Sequence, residues 1–351
     1  MPTEADCLVT GASGFLGRTV VNALLKKGAR VRCLLRESSE TPIASSRIEQ
    51  SGQCEIVRGN LLSPVQIARA MDGVRVVYHL AAEMRGLPAT IFAGTVVGSK
   101  NLLDAILRSR PRRVVLVSSL NVYGLAGADP RDVVSEEFAL DDHPEKRDVY
   151  THAKIWQERL FVELLTESGI DLTIVRPGHI YGANRRQLPA RLGLSFCGVL
   201  LRARTSRRLP ITYVENCADA VIFCGTKREA VNQAYNAVDD GAPSSIECLK
   251  WHRRVSGTPR TIRMPHVGFS ALAYLNRVGN RWSAGQIPIV LTRYKSACAW
   301  RGHFFSNQKL KSLGWQQPVS TQEALALTFP FSTSSKVPPN EFVQVPLRSA
   351  T

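Results

Sequence analysis

Tyr150 and Lys154, in the segment Tyr-Thr-His-Ala-Lys, are the residues of this chain best suited by type and spacing to move a proton. On a helix, residues four apart share a face. A phenol titrates near pH 10, too high for acid–base work at neutral pH, but a nearby ammonium favours the phenolate. Lys154 is therefore expected to lower the pKa of Tyr150. Ser119, in the Ser118-Ser119 pair that ends an apolar run, is the hydroxyl expected to hold a substrate oxygen beside Tyr150. Taken alone, such a pair is equally a surface contact; its chemistry needs a hydride donor or acceptor.

The stretch Thr10-Gly-Ala-Ser-Gly-Phe-Leu-Gly17 points to that partner. An apolar run precedes it, and Arg18 to Lys27 follows with helical periodicity, ended by Gly28 as a C-cap. In a strand–turn–helix, glycines at 11, 14 and 17 let the backbone approach a pyrophosphate, and the helix N-terminus presents free N–H groups to it. Gly11, Ser13, Gly14, Phe15, Leu16 and Gly17 are the expected lining. A second strand ends about 20 residues further on, where an acid would bond the adenosine ribose of NAD. Here Leu35 is followed by Arg36, Glu37 and Ser38. An arginine attracts the extra phosphate of NADP, so NADP(H) is expected over NAD(H), with Arg36 as phosphate ligand. Glu37 leaves a ribose contact open.

The strand–helix alternation then repeats. Apolar strands at 54–57, 74–80 and 113–118 alternate with helical segments at 64–71 and 98–108. This predicts an α/β fold, a Rossmann-type doubly wound parallel sheet, with a smaller C-terminal substrate lobe. Asn60, Leu61, Ala81, Ala82, Ser118 and Ser119 fall on strand exits, the edge that lines the ligand crevice. A helix over 149–166 carries Tyr150 and Lys154.

With these residues in place, the chain resembles an extended short-chain dehydrogenase/reductase of the epimerase/dehydratase superfamily. The resemblance runs over about 330 residues: the glycine turn, Gly59-Asn-Leu61, His79-Leu-Ala-Ala82, Ser118 to Gly124, Tyr150 to Lys154, Arg176-Pro-Gly-His-Ile-Tyr-Gly182 and Tyr213 to Ala220. It implies catalytic roles for Ser119, Tyr150 and Lys154, and a backbone wall at Pro177 and Gly178 beside the nicotinamide. Departures are informative. Asn60 replaces an aspartate that contacts adenine, and Thr95 replaces an asparagine that serves as a relay. Leu120-Asn121 follow Ser119 where the sugar-nucleotide dehydratases carry Asp-Glu, so dehydration lacks its acid and base. His179 stands where epimerases tend to have an asparagine. The segment from Phe304 to Thr328 resembles the closing segment of 3β-hydroxysteroid and sterol 4-carboxylate dehydrogenases. That branch implies an apolar ketone or secondary alcohol, sterol-like or a long-chain β-keto or β-hydroxy acid. The alternatives are a sugar-nucleotide epimerase holding NAD tightly and a non-catalytic dinucleotide sensor.

Residues 1–178 are expected to form the dinucleotide domain, joined by 211–240. Residues 179–330 would form mainly the substrate lobe and 331–351 a disordered tail rich in Ser, Thr and Pro. The chain carries 45 Lys and Arg against 29 Asp and Glu, a net charge of +16. The excess is uneven: Cys248 to Gln322 holds twelve basic residues and no acid. Arg185, Arg186, Arg191, Arg202, Arg204, Arg207 and Arg208 crowd a second stretch. Three readings stand: an acidic or carrier-bound small-molecule substrate, contact with an anionic membrane surface, or simple solvation. No recognition motif accompanies the charge, so nucleic acid is not an expected partner; a homodimer is. The eight cysteines are scattered without metal-ligand spacing, so no metal is expected. The N-terminus lacks a leader pattern and no apolar run reaches the ~18 residues of a span. A cytoplasmic enzyme, peripheral at most to a membrane, is the expectation. The loop from Leu125 to Asp148, polar and long, is read as a lid or an ordinary surface loop.

Overall fold

In the computed structural model, the described residues are 5–41, 52–125, 127–129, 131–186, 192–196, 199–202, 208–256, 260–284, 286–287, 291–292, 294 and 302–330. The tail at 331–351 and the arginines at 191, 204 and 207 lie outside them.

Seven parallel strands form the central sheet. In chain order these are β1 (Cys7–Thr10), β2 (Val31–Leu35), β3 (Cys54–Arg58), β4 (Val76–His79), β5 (Arg113–Val117), β7 (Asp171–Pro177) and β12 (Gln233–Ala237). Their spatial order is β12-β7-β5-β4-β1-β2-β3. The order reverses at β1, and the crevice for a ligand opens at that switch point, beyond the carboxyl ends of the strands. β1, β2 and β5 are buried at every position, as expected of strands covered on both faces.

One face is covered by α1 (Phe15–Lys26) packed against α6 (Val214–Thr226). The other carries α2 (Pro64–Met71), α4 (Gly98–Ser109) and α5 (Val149–Thr166). Two separate apolar clusters result, one per face. Val20, Val21, Leu24 and Cys217 lie in the first; Ile67, Leu102, Ile106 and Phe161 lie in the second. The edge strand β12 pairs with β7, so the segment near residue 236 rejoins the sheet after the chain has left it.

One reading of the sequence is corrected. The helix after the glycine turn begins at Phe15, three residues earlier than its periodicity implies, so Phe15, Leu16 and Gly17 are its first turn rather than loop. The helix read at 98–108 is preceded by α3 (Pro88–Phe92) and a π-helical turn at Ala93–Val97. The π turn interrupts the 3.6-residue period there. The polar stretch from Leu125 to Asp148 is tied down. Its strand β6 (Val133–Val134) pairs with β14 (Phe304–Phe305), Glu136 Oε1 accepts from Asn236 N at 2.7 Å, and Asp141 pairs with Arg147.

The outer part of the chain adds β8 (His179–Tyr181), β9 (Gly193–Phe196), β10 (Val199–Arg202), β11 (Ile211–Tyr213), α7 (Ser245–Ser256), β13 (Arg260–Arg263) and α8 (His266–Trp282). The closing segment, with α9 (Gln308–Ser312) and α10 (Thr321–Thr328), packs back onto the first apolar cluster through Leu310, Trp315 and Leu325. Trp315 Nε1 donates to Asp219 at 3.0 Å, and Asn216 and Val319 exchange two hydrogen bonds. Among the described residues no helix is long and apolar enough to cross a membrane.

Candidate active site

The turn after β1 is shaped by close backbone approach. Gly11 has φ +71°, and a Cβ there would lie 2.8 Å from the backbone N of Ala81. A Cβ on Gly17 would lie 2.0 Å from the Gly11 carbonyl oxygen. Gly11 therefore lets the turn pass the exit of β4, and Gly17 lets α1 sit on the turn. Gly14 caps α1 without any side-chain hydrogen bond. The first N–H groups of the helix thus face the crevice with no protein side chain accepting from the cap position, the arrangement that receives a phosphate. These features fit a dinucleotide pyrophosphate. Ala81 N donates to Thr10 Oγ1 at 3.4 Å, which ties the Ala81-Ala82 exit of β4 to the same turn.

At the adenosine end, Arg36 is exposed and pairs with Glu83 at 3.0 Å. Arg58 reaches behind it to the carbonyls of Arg36 at 3.0 Å and Ser39 at 2.6 Å, fixing the exit of β2. Asn60 Oδ1 accepts from Leu62 N at 3.0 Å, so its amide nitrogen is the group turned to other partners. Leu61 packs against Gly98, with its carbonyl held by Asn101 at 3.0 Å.

Ser119 ends β5 and caps the 3-10 turn Leu120–Val122, its Oγ accepting from Asn121 N at 3.2 Å. Arg147 holds that turn from behind by donating to Asn121 O at 2.7 Å, and its guanidinium lies 3.6 Å from the Tyr294 ring centroid. Ser118, its neighbour, is buried and donates to Glu158. Glu158 pairs with Arg176, whose Nη1 donates to Tyr123 Oη at 2.9 Å. Ser118 is thus part of the frame that joins β5, α5 and β7, whereas Ser119 is half-buried and its hydroxyl is bonded within its own turn, to Asn121 N.

Tyr150 and Lys154 occupy the first turns of α5, which Asp148 caps by accepting from Thr151 N at 3.3 Å. Lys154 is 2% exposed. Its ammonium donates to Val117 O at 2.7 Å and to Gln157 Oε1. Burial lowers its pKa to about 7, against the opposing pull of Glu158. The expectation that Lys154 lowers the pKa of Tyr150 is not met in this arrangement. Burial pushes the phenol up to about 12; the cation that opposes this is Arg185, and Asp148 adds to the rise. While the phenol keeps its proton, the lysine's ammonium is bonded to Val117 O and Gln157 Oε1.

Gln157 belongs to a buried polar chain that the sequence reading did not identify. Its Nε2 donates to Ser99 Oγ at 2.8 Å and to Ala81 O at 3.3 Å. Ser99 lies 3.0 Å from His79 Nε2, and His79 Nδ1 lies 2.6 Å from Thr10 Oγ1. Ser99 also donates to Thr95 O, inside the π turn. Thr95 Oγ1 accepts from Glu83 N at 3.0 Å, so this position braces the loop after β4. His79 is neutral, its pKa lowered to about 3 by burial and by Lys154. One chain of contacts thus links the end of β1, the end of β4, the π turn and the lysine. The signal was present: Gln157 lies three residues after Lys154, on the same helix face.

Pro177 and Gly178 lie at the end of β7. A Cβ on Gly178 would meet Pro210 O at 2.5 Å, and Gly178 N donates to Ala237 O at 3.0 Å. This wall is close-packed backbone. His179, half-buried, begins β8 with its N–H bonded to Pro210 O at 2.8 Å.

Comparison with known proteins agrees with this architecture. The sequence profile of the NAD dependent epimerase/dehydratase family matches residues 7–237. A 3 beta-hydroxysteroid dehydrogenase/Delta 5-->4-isomerase of Mycobacterium tuberculosis is 28% identical over 365 residues, covering 93% of this chain and 90% of the relative. A 2-alkyl-3-oxoalkanoate reductase of Shewanella oneidensis is 25% identical, covering 92% of this chain and 84% of the relative. Among solved structures, the UDP-glucose 4-epimerase of Thermus thermophilus in complex with NAD superposes with a TM-score of 0.64 at 18% identity, over 92% of this chain and 97% of that one.

Proposed function

The chain belongs to the NAD dependent epimerase/dehydratase family, and from that premise we propose that it moves hydride between NADP(H) and the carbinol carbon of an apolar secondary alcohol or ketone. It is an oxidoreductase that works with a nicotinamide dinucleotide. The observation that carries the proposal is the convergence on one sheet edge of Ser119 at the exit of β5, Tyr150 and Lys154 on the first turns of α5, and the uncapped glycine turn after β1.

The dinucleotide supplies or accepts the hydride when bound; Gly11, Ser13, Gly14, Phe15, Leu16 and Gly17 would hold its pyrophosphate. The chain's own residues manage the oxygen. In reduction, the carbonyl π electrons move to oxygen as the carbon gains hydride. Ser119 Oγ donates a hydrogen bond to that oxygen, and Tyr150 Oη donates its proton, leaving a phenolate. Lys154, one turn further along α5, carries the cation that offsets the phenolate charge. With a pKa near 12, Tyr150 holds its proton at neutral pH, the state that reduction requires.

The named relatives act on a hydroxysteroid and on a 2-alkyl-3-oxoalkanoate. Both carry the reacting oxygen on a largely apolar skeleton, which supports the same class here. Leu120-Asn121 after Ser119 provide no acid–base pair for dehydration. The test is NADPH oxidation against β-keto acids, ketosteroids and small ketones. Turnover of an apolar ketone with added NADPH supports the reading. Turnover of a sugar nucleotide with no added dinucleotide would replace it with epimerisation.

The preference for NADP rests on Arg36, with Arg58 behind it. Glu83 competes for Arg36, so a ribose phosphate would have to draw the guanidinium away from that carboxylate. Arg36→Ser is expected to weaken NADPH binding about tenfold, the effect of losing one charge-assisted contact, and to leave NADH unchanged. Glu83→Gln is expected to strengthen NADPH. Equal changes for both dinucleotides in fluorescence titration would contradict the assignment.

A further inference from the structure

Among the described residues, Arg185 carries a charge with no carboxylate counter-ion. It closes the tight turn that begins at Gly182: Arg185 N donates to Gly182 O at 2.8 Å and Gly182 N to Arg185 O at 3.3 Å. The turn leaves β8, which is paired to β11 through Tyr181 and Tyr213, so the backbone of Arg185 is anchored. Its guanidinium carbon lies 6.0 Å from the ring centroid of Phe15, on the first turn of α1. Its electrostatic neighbours are the hydroxyl of Tyr150 and a second cation, Arg85. Arg185 therefore stands where the glycine turn and the phenol meet.

Four other arginines enclosed by this fold have a carboxylate partner. Arg176 is paired to Glu158, Arg147 to Asp141, Arg113 to Asp171 and Arg32 to Glu55. Among the described residues Arg185 has no carboxylate within ion-pair distance, and 187–191, which follow it, contain no Asp or Glu. A half-buried cation without a carboxylate partner costs free energy unless something compensates it. Arg85 makes the cost larger, since like charge disfavours the protonated guanidinium.

We propose that Arg185 is the anion anchor of this site, binding an oxyanion, carboxylate or phosphate, between Phe15 and Tyr150. The inference deepens the function proposed above and rests on it for the identity of the site. Two sources have this chemistry. A substrate carboxylate near the reacting carbon would restrict the enzyme to keto acids. A phosphate of the dinucleotide would make Arg185 a cofactor ligand opposite the helix N-terminus.

The experiment compares the wild type with Arg185→Leu and Arg185→Lys, with Arg186→Leu as a neighbouring control. Binding of NADPH and NADH is read by fluorescence titration. Binding and turnover are then read for a medium-chain 3-oxo acid and its methyl ester. If the anion is the substrate's, Arg185→Leu weakens the acid on the order of 30-fold, leaves the ester within twofold, and leaves both dinucleotides unchanged. If it is the cofactor's, Arg185→Leu weakens NADPH and NADH alike and leaves the acid-to-ester ratio unchanged. Either result, with Arg185→Lys intermediate and Arg186→Leu like wild type, supports the anchor. Unchanged dinucleotide affinities together with an unchanged acid-to-ester ratio would overturn it. Should the leucine variant fail to fold, Arg185→Gln carries the same comparison. A wild type that binds these probes without turning them over would defeat the proposed function, while the binding ratios still decide the role of Arg185.

Discussion

At the scale of single residues, the three groups read from the sequence are now distinguishable by environment. Ser119 is half-buried and bonded within its own turn, while Ser118 is spent on Glu158. Lys154 is enclosed, and its ammonium depends on two acceptors, Val117 O and Gln157 Oε1. That dependence makes Gln157 a positioning residue, and pH profiles test it. With Lys154 protonated in the competent state, kcat/KM of the reduction falls as pH rises through about 7. Gln157→Leu removes an acceptor of the charged form, so the limb moves to lower pH by roughly one unit; a hydrogen bond to a charged group is worth about that much. Gln157→Glu adds an anion and moves the limb upward. Coincident profiles for all three proteins would remove Gln157 from the mechanism. The same burial has a sign for stability. Lys154 titrates near 7 folded against an ordinary 10.5, so between these values the unfolded chain binds the extra proton. The contribution of Lys154 therefore favours folding increasingly as pH rises through that window. Tyr150 and Lys154 were read from their spacing and Ser119 from its place at a strand end. Neither signal located His79, Ser99 and Gln157, because their roles come from three segments meeting in space: the end of β4, the start of α4 and the face of α5.

At the scale of elements, the glycine turn has a packing job as well as a binding one. Gly14 leaves the helix N-terminus without a side-chain cap, whereas Gly17 exists because α1 rests against Gly11 O. Gly17→Ala must displace the turn, since a Cβ 2.0 Å from an oxygen cannot be accommodated. The expected outcome is a loss of about 1–3 kcal/mol in stability together with weakened dinucleotide binding. Gly28→Ala provides the contrast: φ is +81° but nothing lies within 4 Å, so backbone strain of about 1 kcal/mol should appear in thermal melts with no change in dinucleotide affinity. If both variants weaken the dinucleotide equally, the close approach at Gly17 is not what forms the turn. Strands were the most legible elements, because burial on both faces writes them as unbroken apolar runs. The π turn before Gly98 was not legible, since it has no amphipathic period of its own. In the stretch 125–148, Glu136 accepts from Asn236 N and the Leu125 N–H donates to Tyr294 Oη, and no local pattern announces contacts over 100 residues or more.

At the scale of the whole molecule, one sheet with two apolar faces supports the site, and the basic outer part gives the surface its character. On α8 the exposed apolar residues Val267, Tyr274, Leu275 and Trp282 recur at seven- and eight-residue spacing, so they share a face, and Arg277 and Arg281 flank it. Trp282 is 89% exposed. No acid occurs between Cys248 and Gln322, so if the face meets a membrane, an anionic one is the kind it suits. The chain is expected to pellet with anionic vesicles, less so at high salt, and Trp282→Ser with Leu275→Ser should abolish pelleting without altering turnover. Indifference to both changes would leave the charge as simple solvation. The basic excess was plain in the sequence; the stripe that gives it an orientation required the helix and its exposure. The whole assembly, from glycine turn to basic surface, converges on one oxygen, Tyr150 Oη. The central measurement is therefore single-turnover NADPH oxidation by Tyr150→Phe with a ketone that the wild type reduces. The account predicts a loss of roughly 10²–10⁴-fold in the hydride-transfer rate, with NADPH affinity and thermal stability unchanged. A phenylalanine variant that reduces the ketone within a few-fold of the wild-type rate would contradict it.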